Sequence, residues 1–254
     1  MLTSAQRDRI DVVLVSPRNP LNIGAVARAM ANFGFSRLTA VAPFEAHWRE
    51  AKSAVGAEGL LQNALCAPCL ADAVRDCTLV LGTGTLTFRK PEQRVVQLPQ
   101  LASIVAEELA RAGRIALVFG PEKHGLTRED LSYCHLLVEI PTDPHQPSMN
   151  LGQAAAVCLY ELSSRIPASN RVPPADNAPA ATSGSLDALA ALVEQTMSAA
   201  NYSPRAMQAA NRHDLRLLLR RLNLRPADLR RVLGLFRRIL WRLNRRTGPG
   251  HLPR

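Results

Sequence analysis

Short apolar, β-branched runs alternate with helix-spaced segments through the larger part of the chain. Residues 11–15 (Asp-Val-Val-Leu-Val) form such a run and read as a buried strand. Residues 20–33 then carry apolar positions at helical spacing, and Gly34 is placed to end that helix. Similar strand-like runs recur at residues 38–42, 78–81, 115–119 and 136–140, with helical segments between most of them, among them residues 101–111 with a Glu107-Glu108 face. Strands alternating with helices over about 160 residues predict an α/β fold with a mostly parallel sheet covered on both faces.

Residues 150–165 close this region as a helix that puts Leu151, Ala155, Cys158, Leu159 and Leu162 on one core-facing stripe. From 166 to 184 the periodicity stops, and Pro167, Pro173, Pro174 and Pro179 stand among Ala, Ser and Asn, which is the composition of a linker. Three further helical stretches follow at 185–201, 205–222 and 226–245, the last opening on Pro226, where proline is tolerated. The expected organisation is a sheet domain over 1–165, a linker over 166–184, a small all-α domain over 185–246 and a tail over 247–254. In that helical region Leu215, Leu219, Leu229, Val232, Leu233 and Phe236 supply an apolar side, and Arg216, Arg220, Arg221, Arg230, Arg231, Arg237, Arg238 and Arg242 a basic one.

Composition sharpens this picture in three ways. No stretch approaches the roughly 18 apolar residues of a membrane helix, and the start lacks a signal peptide's apolar core, so a cytoplasmic location with no membrane partner is expected. The 5 cysteines are an odd number and are expected reduced. Cys66 and Cys69 have metal-like spacing, but no second pair follows and no metal is expected. The net charge of +10 is concentrated: residues 1–204 hold 17 Lys and Arg against 19 Asp and Glu, whereas residues 205–254 hold 14 against 2. A polyanion, and nucleic acid first, is the partner such a basic end implies.

Candidate chemistry lies at the ends of the strand-like runs, where open α/β sheets place ligands. Leu81-Gly82-Thr83-Gly84 ends one run; the third glycine of a dinucleotide fingerprint is missing, so a tight turn and a backbone contact to a ligand stay equally open. Asn22-x-Gly24-x-x-x-Arg28 opens the first helix. Phe119-Gly120-Pro121-Glu122 leaves another strand, with Gly125 and Leu126 following. Ile140-Pro141-Thr142 leaves a third, and Ser148-Met149-Asn150-Leu151 leads into the closing helix. Taken singly, Arg28 could be a solvated arginine, Glu122 a capping carboxylate, and Ser148 or Asn150 a helix cap.

Taken together, Asn-x-Gly-x-x-x-Arg, then Gly-x-Glu-x-x-Gly-Leu, then Ser-Met-Asn before a helix resemble the SpoU (TrmH-like) branch of the SPOUT RNA 2'-O-methyltransferases, Met149 replacing the usual Leu. The resemblance runs from about Asp11 to Leu162 and implies a deep trefoil knot, which periodicity alone would never suggest. It implies bound S-adenosylmethionine, held mostly by backbone groups of Leu81, Gly82, Thr83, Gly84, Phe119, Gly120, Pro121, Ile140, Pro141, Thr142, Ser148, Met149, Asn150 and Leu151. It further implies Arg28 at an RNA phosphate, Asn22 and Asn150 orienting the ribose with support from Ser148, Glu122 ordering the arginine or the loop, and a homodimer formed through the knot region. An arginine with a pKa above about 12 is a poor general base, so Arg28 is expected to act electrostatically. The basic end after a linker resembles that of family members acting on cytidine or uridine at nucleotide 32 of the transfer RNA anticodon loop. Ribosomal RNA is the alternative substrate. A non-catalytic RNA-binding platform and a DNA-binding protein are the alternatives of other classes.

Overall fold

Seven parallel strands in the order β3-β2-β1-β6-β4-β7-β5 form the centre of the computed structural model, which describes residues 2–84, 91–166, 178–202 and 204–246. The strands are β1 (Ile10–Val15), β2 (Leu38–Val41), β3 (Leu65–Ala67), β4 (Leu79–Thr83), β5 (Arg94–Gln97), β6 (Ile115–Phe119) and β7 (Leu136–Glu139). The helices are α1 (Ser4–Arg7), α2 (Pro20–Phe33), α3 (Glu58–Gln62), α4 (Leu70–Ala73), α5 (Leu98–Ala110), α6 (Arg128–Leu131), α7 (Leu151–Arg165), α8 (Ser183–Ala199), α9 (Gln208–Arg221) and α10 (Pro226–Arg246).

Residue alternation along the strands divides the core in two. In β1, Ile10, Val12 and Leu14 face the layer of α2, α5 and α7, while Val13 and Val15 face the layer carrying Leu70, Val74 and Tyr133. Because both faces are covered, every residue of β1 and β6 is buried, which explains why, Asp11 apart, both strands are apolar throughout. The helix α2 begins with Asn19, whose side chain accepts from the Leu21 amide, and ends at Gly34, whose φ of 73° needs a residue without a Cβ. The close approach of α2 to α7 depends on Gly152: a Cβ there would lie 2.7 Å from that of Ala25.

The edge strands β3 and β5 are additions to what the pattern announces. Of the Glu107-Glu108 face, Glu108 is buried, accepting a hydrogen bond from the Thr78 hydroxyl, whose oxygen accepts from the Arg114 amide at 3.0 Å. The helix α8 begins at Ser183, inside the stretch expected to be linker, and its start is tied to the sheet domain: the amides of Ser183 and Gly184 donate to the carbonyls of Cys77 and Arg75 at 2.8 and 2.9 Å. Pro167, Pro173 and Pro174 lie outside the described residues. Leu186, Leu189, Val193, Leu219 and Leu229 form a third, smaller core among α8, α9 and α10. No described helix is long and apolar enough to cross a membrane.

Candidate functional site

Four strands, β1, β6, β4 and β7, lie side by side, and the loops leaving the last three enclose a cleft of about 240 Å³ at the carboxyl edge of the sheet. Its walls are Thr83 and Gly84 after β4, the loop 119–125 after β6, Ile140 and Thr142 after β7, and Pro147, Ser148, Met149, Leu151 and Ala154 at the start of α7. The Thr83 hydroxyl donates to the Val118 carbonyl at 3.0 Å and the Thr142 hydroxyl to that of Pro147 at 3.2 Å, which fixes two of these loops. Gly120 permits the tight closure of its loop, since a Cβ would stand 2.3 Å from the Leu126 amide nitrogen.

Three motifs meet at the lip of the cleft through one chain of hydrogen bonds. The Glu122 carboxylate accepts from the Asn22 side-chain amide at 3.0 Å and from the Asn19 and Arg18 backbone amides at 3.1 and 3.2 Å. Asn22 accepts in turn from the Asn150 side chain at 3.0 Å, and the Asn150 oxygen caps α7 by accepting from the Gly152 amide at 2.9 Å. Burial opposes ionisation of Glu122, but the bonds from Asn22 and from the backbone amides outweigh it and hold the carboxyl below its ordinary value. Each asparagine nitrogen still has one N–H to offer beyond this chain.

Most of the residues expected to hold the cofactor line the cleft: Thr83, Gly84, Phe119, Gly120, Pro121, Ile140, Thr142, Ser148, Met149 and Leu151. Leu81, Gly82, Pro141 and Asn150 do not. Leu81 is fully buried within β4, and a Cβ on Gly82 would lie 2.7 Å from the Cys134 sulfur, so this glycine serves strand packing. Gly84, by contrast, faces open space. Gly82 thus follows neither reading, being a packed strand residue, while Gly84 lines the cleft. Glu122, Lys123, His124, Gly125, Pro147 and Ala154 complete the lining; their positions within or beside the motif loops were the available signal.

Of the two alternatives expected for Glu122, ordering the arginine or the loop, its bonds lie on the loop before α2. Glu122 makes no contact with Arg28; its carboxylate accepts from the backbone amides of Arg18 and of the cap residue Asn19, just before the first turn of α2. Gly24 gives room to residues 51–54 of this chain: a Cβ there would lie 2.2 Å from the Ser53 hydroxyl. Arg28 is exposed on α2, outside the cleft lining, and among the described residues it has no hydrogen bond or ion pair.

The basic helices divide in the same way. Arg221, Arg230, Arg231, Arg237, Arg238 and Arg242 are exposed, and Arg238 and Arg245 lie 4.9 and 4.2 Å from the ring of the exposed Trp241. Arg220 is a correction: it is buried, donating to the Tyr133 carbonyl and Ser183 hydroxyl at 3.0 Å and to Asp187 at 2.9 Å. Arg216 pairs with Glu129 at 2.7 Å and lies 4.4 Å from the Tyr133 ring. Both arginines fasten the helical region to the sheet domain. Outside the cleft, Glu92, His213 and Asp214 bring three ligand-type atoms within 4.8 Å of one another, but Arg128 already pairs with Glu92 at 3.2 Å.

A parallel sheet with a small, loop-walled cleft at its carboxyl edge and an asparagine–glutamate chain at the lip defines a ligand-binding α/β protein of the doubly covered class. The chain belongs to the SpoU rRNA Methylase family, whose sequence pattern matches residues 9–160. It is 41% identical over 156 residues to the tRNA (cytidine/uridine/adenosine-2'-O-)-methyltransferase TrmJ of Pseudomonas aeruginosa and 37% identical over 155 residues to the tRNA (cytidine-2'-O-)-methyltransferase TrmJ of Methanocaldococcus jannaschii. Those matches cover 61% and 60% of this chain, and 60% and 66% of the relatives' own lengths. The crystal structure of TrmJ from Z. mobilis ZM4 superposes with a TM-score of 0.79 at 29% identity, covering 90% of this chain and 98% of that one. A putative methylase family protein from Neisseria gonorrhoeae gives 0.62 at 27% identity, covering 73% and 94%.

Proposed function

We propose that this protein is an S-adenosylmethionine-dependent methyltransferase acting on the ribose 2'-hydroxyl of transfer RNA in the cytoplasm, with cytidine or uridine at nucleotide 32 as the target. The observation that carries the reading is the Glu122–Asn22–Asn150 chain, which joins all three motifs of a methylase family at the lip of one cleft. The walls fit the cofactor: Phe119, Ile140, Met149 and Leu151 offer apolar surface, while Gly84, Gly120 and Gly125 leave backbone groups accessible. When bound, S-adenosylmethionine supplies an electrophilic methyl group. The protein's own task is to position a weak nucleophile and assist loss of its proton. The remaining N–H groups of Asn22 and Asn150 orient the ribose, held by Glu122 on one side and the α7 terminus on the other, and Ser148 lines the cleft beside them.

The unpaired Arg28 binds the adjacent phosphate and lowers the hydroxyl's pKa electrostatically. Its place outside its own cleft favours a homodimer in which Arg28 completes the site of the second copy. The exposed Leu21 on α2 and Tyr160 on α7 supply apolar surface for that contact. The trefoil knot belongs to the same proposal, supported by the meeting of the loops after β4, β6 and β7 at one cleft. The basic helices bind RNA phosphates through Arg221, Arg230, Arg231, Arg237, Arg238 and Arg242.

The test is nucleoside mass spectrometry of transfer RNA and, separately, ribosomal RNA incubated with the protein and S-adenosylmethionine. New 2'-O-methylcytidine or 2'-O-methyluridine in transfer RNA, lost with Arg28→Ala, is the expected result. Methylation confined to ribosomal RNA would replace the substrate with the one in the family's own description.

A further inference from the structure

We propose that Arg18 and Phe44 form a stacking platform for an unpaired RNA base beside the cleft, a reading that rests on the RNA methylation proposed above. Phe44 is 69% exposed, an unusual position for a large apolar ring, and the Arg18 guanidinium lies 5.3 Å from its centroid. Among the described residues that guanidinium has no carboxylate partner, so its charge remains available. Both residues are held by their backbones: the Phe44 amide donates to the Pro17 carbonyl at 3.1 Å, and the Arg18 amide donates to Glu122 at 3.2 Å. The platform is therefore tied by a direct hydrogen bond to a carboxylate that lines the cleft.

The loops that carry the pair leave the sheet in a strained way. Ser16 after β1 and Ala42 after β2 both have left-handed backbones, with φ of 44° and 42°, although neither is glycine. The Ser16 amide donates to the Val41 carbonyl at 2.8 Å and locks one loop to the other. Such conformations persist only where the surroundings enforce them, and they concentrate at ligand clamps. Here the enforced result is an aromatic ring and a cation presented together to solvent.

A nucleobase matches both elements. The base face stacks on phenylalanine irrespective of sequence, and the phosphate of the same nucleotide seeks the arginine. A base extruded from a loop to expose its ribose would find this surface next to the reacting hydroxyl, which makes Arg18 and Phe44 substrate-positioning residues.

The experiment measures kcat and KM for unmodified transfer RNA transcripts, together with S-adenosylmethionine affinity by calorimetry, in the full-length protein. Phe44→Ala is expected to raise KM about tenfold with cofactor affinity unchanged. Phe44→Trp is expected to recover KM because it restores the stacking face, and Arg18→Ala to raise it in the same direction. A wild type that methylates transfer RNA beside a Phe44→Ala variant whose KM moves less than about twofold would overturn the platform and leave the proposed function standing. A wild type that binds cofactor but methylates no RNA would remove the proposed function and the platform with it.

Discussion

Asn22 donates through its nitrogen to Glu122 and accepts through its oxygen from Asn150, each at 3.0 Å, and that polarity determines which substitutions the site tolerates. Asn22→Asp places a second carboxylate against Glu122, and two such groups resist ionising together. The expected outcome is at least about a tenfold loss of methylation rate at pH 8, partly recovered as pH falls and one proton is shared, read from a pH–rate profile. In the wild type the depressed Glu122 has the opposite dependence. It stabilises the fold above its ordinary value of 4.5, and that contribution is lost on acidification through its lowered pKa. His135 gives a second acid sensitivity. Its Nδ1 accepts from the Val80 amide at 3.0 Å, and burial, aided by the charge of Arg220, pushes its pKa down to about 3. Between about 3 and 6.5 the unfolded chain binds a proton that the native ring refuses, so stability falls as pH drops through that window. His135→Asn keeps an acceptor for Val80 and removes the titration; denaturant midpoints at pH 8 and pH 5 should differ less in this variant than in wild type.

The helix α7 shows how one element can be both structural and chemical. Asn150 is its cap and also its link to Asn22. Asn150→Ala should cost about 1 kcal/mol of stability through the lost cap. Asn150→Ser keeps a capping oxygen but is too short to reach Asn22, so it should melt near wild type while methylating more slowly. Differential scanning calorimetry beside a rate assay separates the two effects. Gly152→Ala should destabilise by forcing α7 from Ala25, to be measured by chemical denaturation. Much of this element was legible in the chain: the stripe Leu151, Ala155, Cys158, Leu159 and Leu162 is buried as its spacing predicted. The bounds of α2 were legible as well, because a cap, a proline and a glycine mark them. The strands β3 and β5 were not, because each is short and lies at an edge of the sheet, with Ala67 and Val96 their only buried residues. The cleft loops could be placed from strand ends. The bonds joining Asn22 to Glu122 and to Asn150 span 100 and 128 residues, a range over which no local pattern carries information.

At the scale of the molecule, charge divides into anchors and contacts. Arg220 looked like one of a basic row, yet three of its four acceptors come from the sheet domain and the start of α8. Arg220→Ala should cost about 3 kcal/mol, as removal of a buried charged partner does, and should weaken RNA binding by misplacing the helices. Arg237→Ala should leave the melting temperature unchanged and reduce the slope of log affinity against log salt by about 1, read from RNA titrations at several salt concentrations. The order of the sheet has a consequence for biosynthesis. The strand β6 sits between β1 and β4, although both leave the ribosome before it. A nascent chain that has emerged only as far as Thr83 therefore carries two apolar strands whose shared neighbour has not yet emerged. Until Phe119 has emerged, those open edges are exposed to mispairing with other chains, and this is the interval in which a chaperone would most improve the yield of active protein.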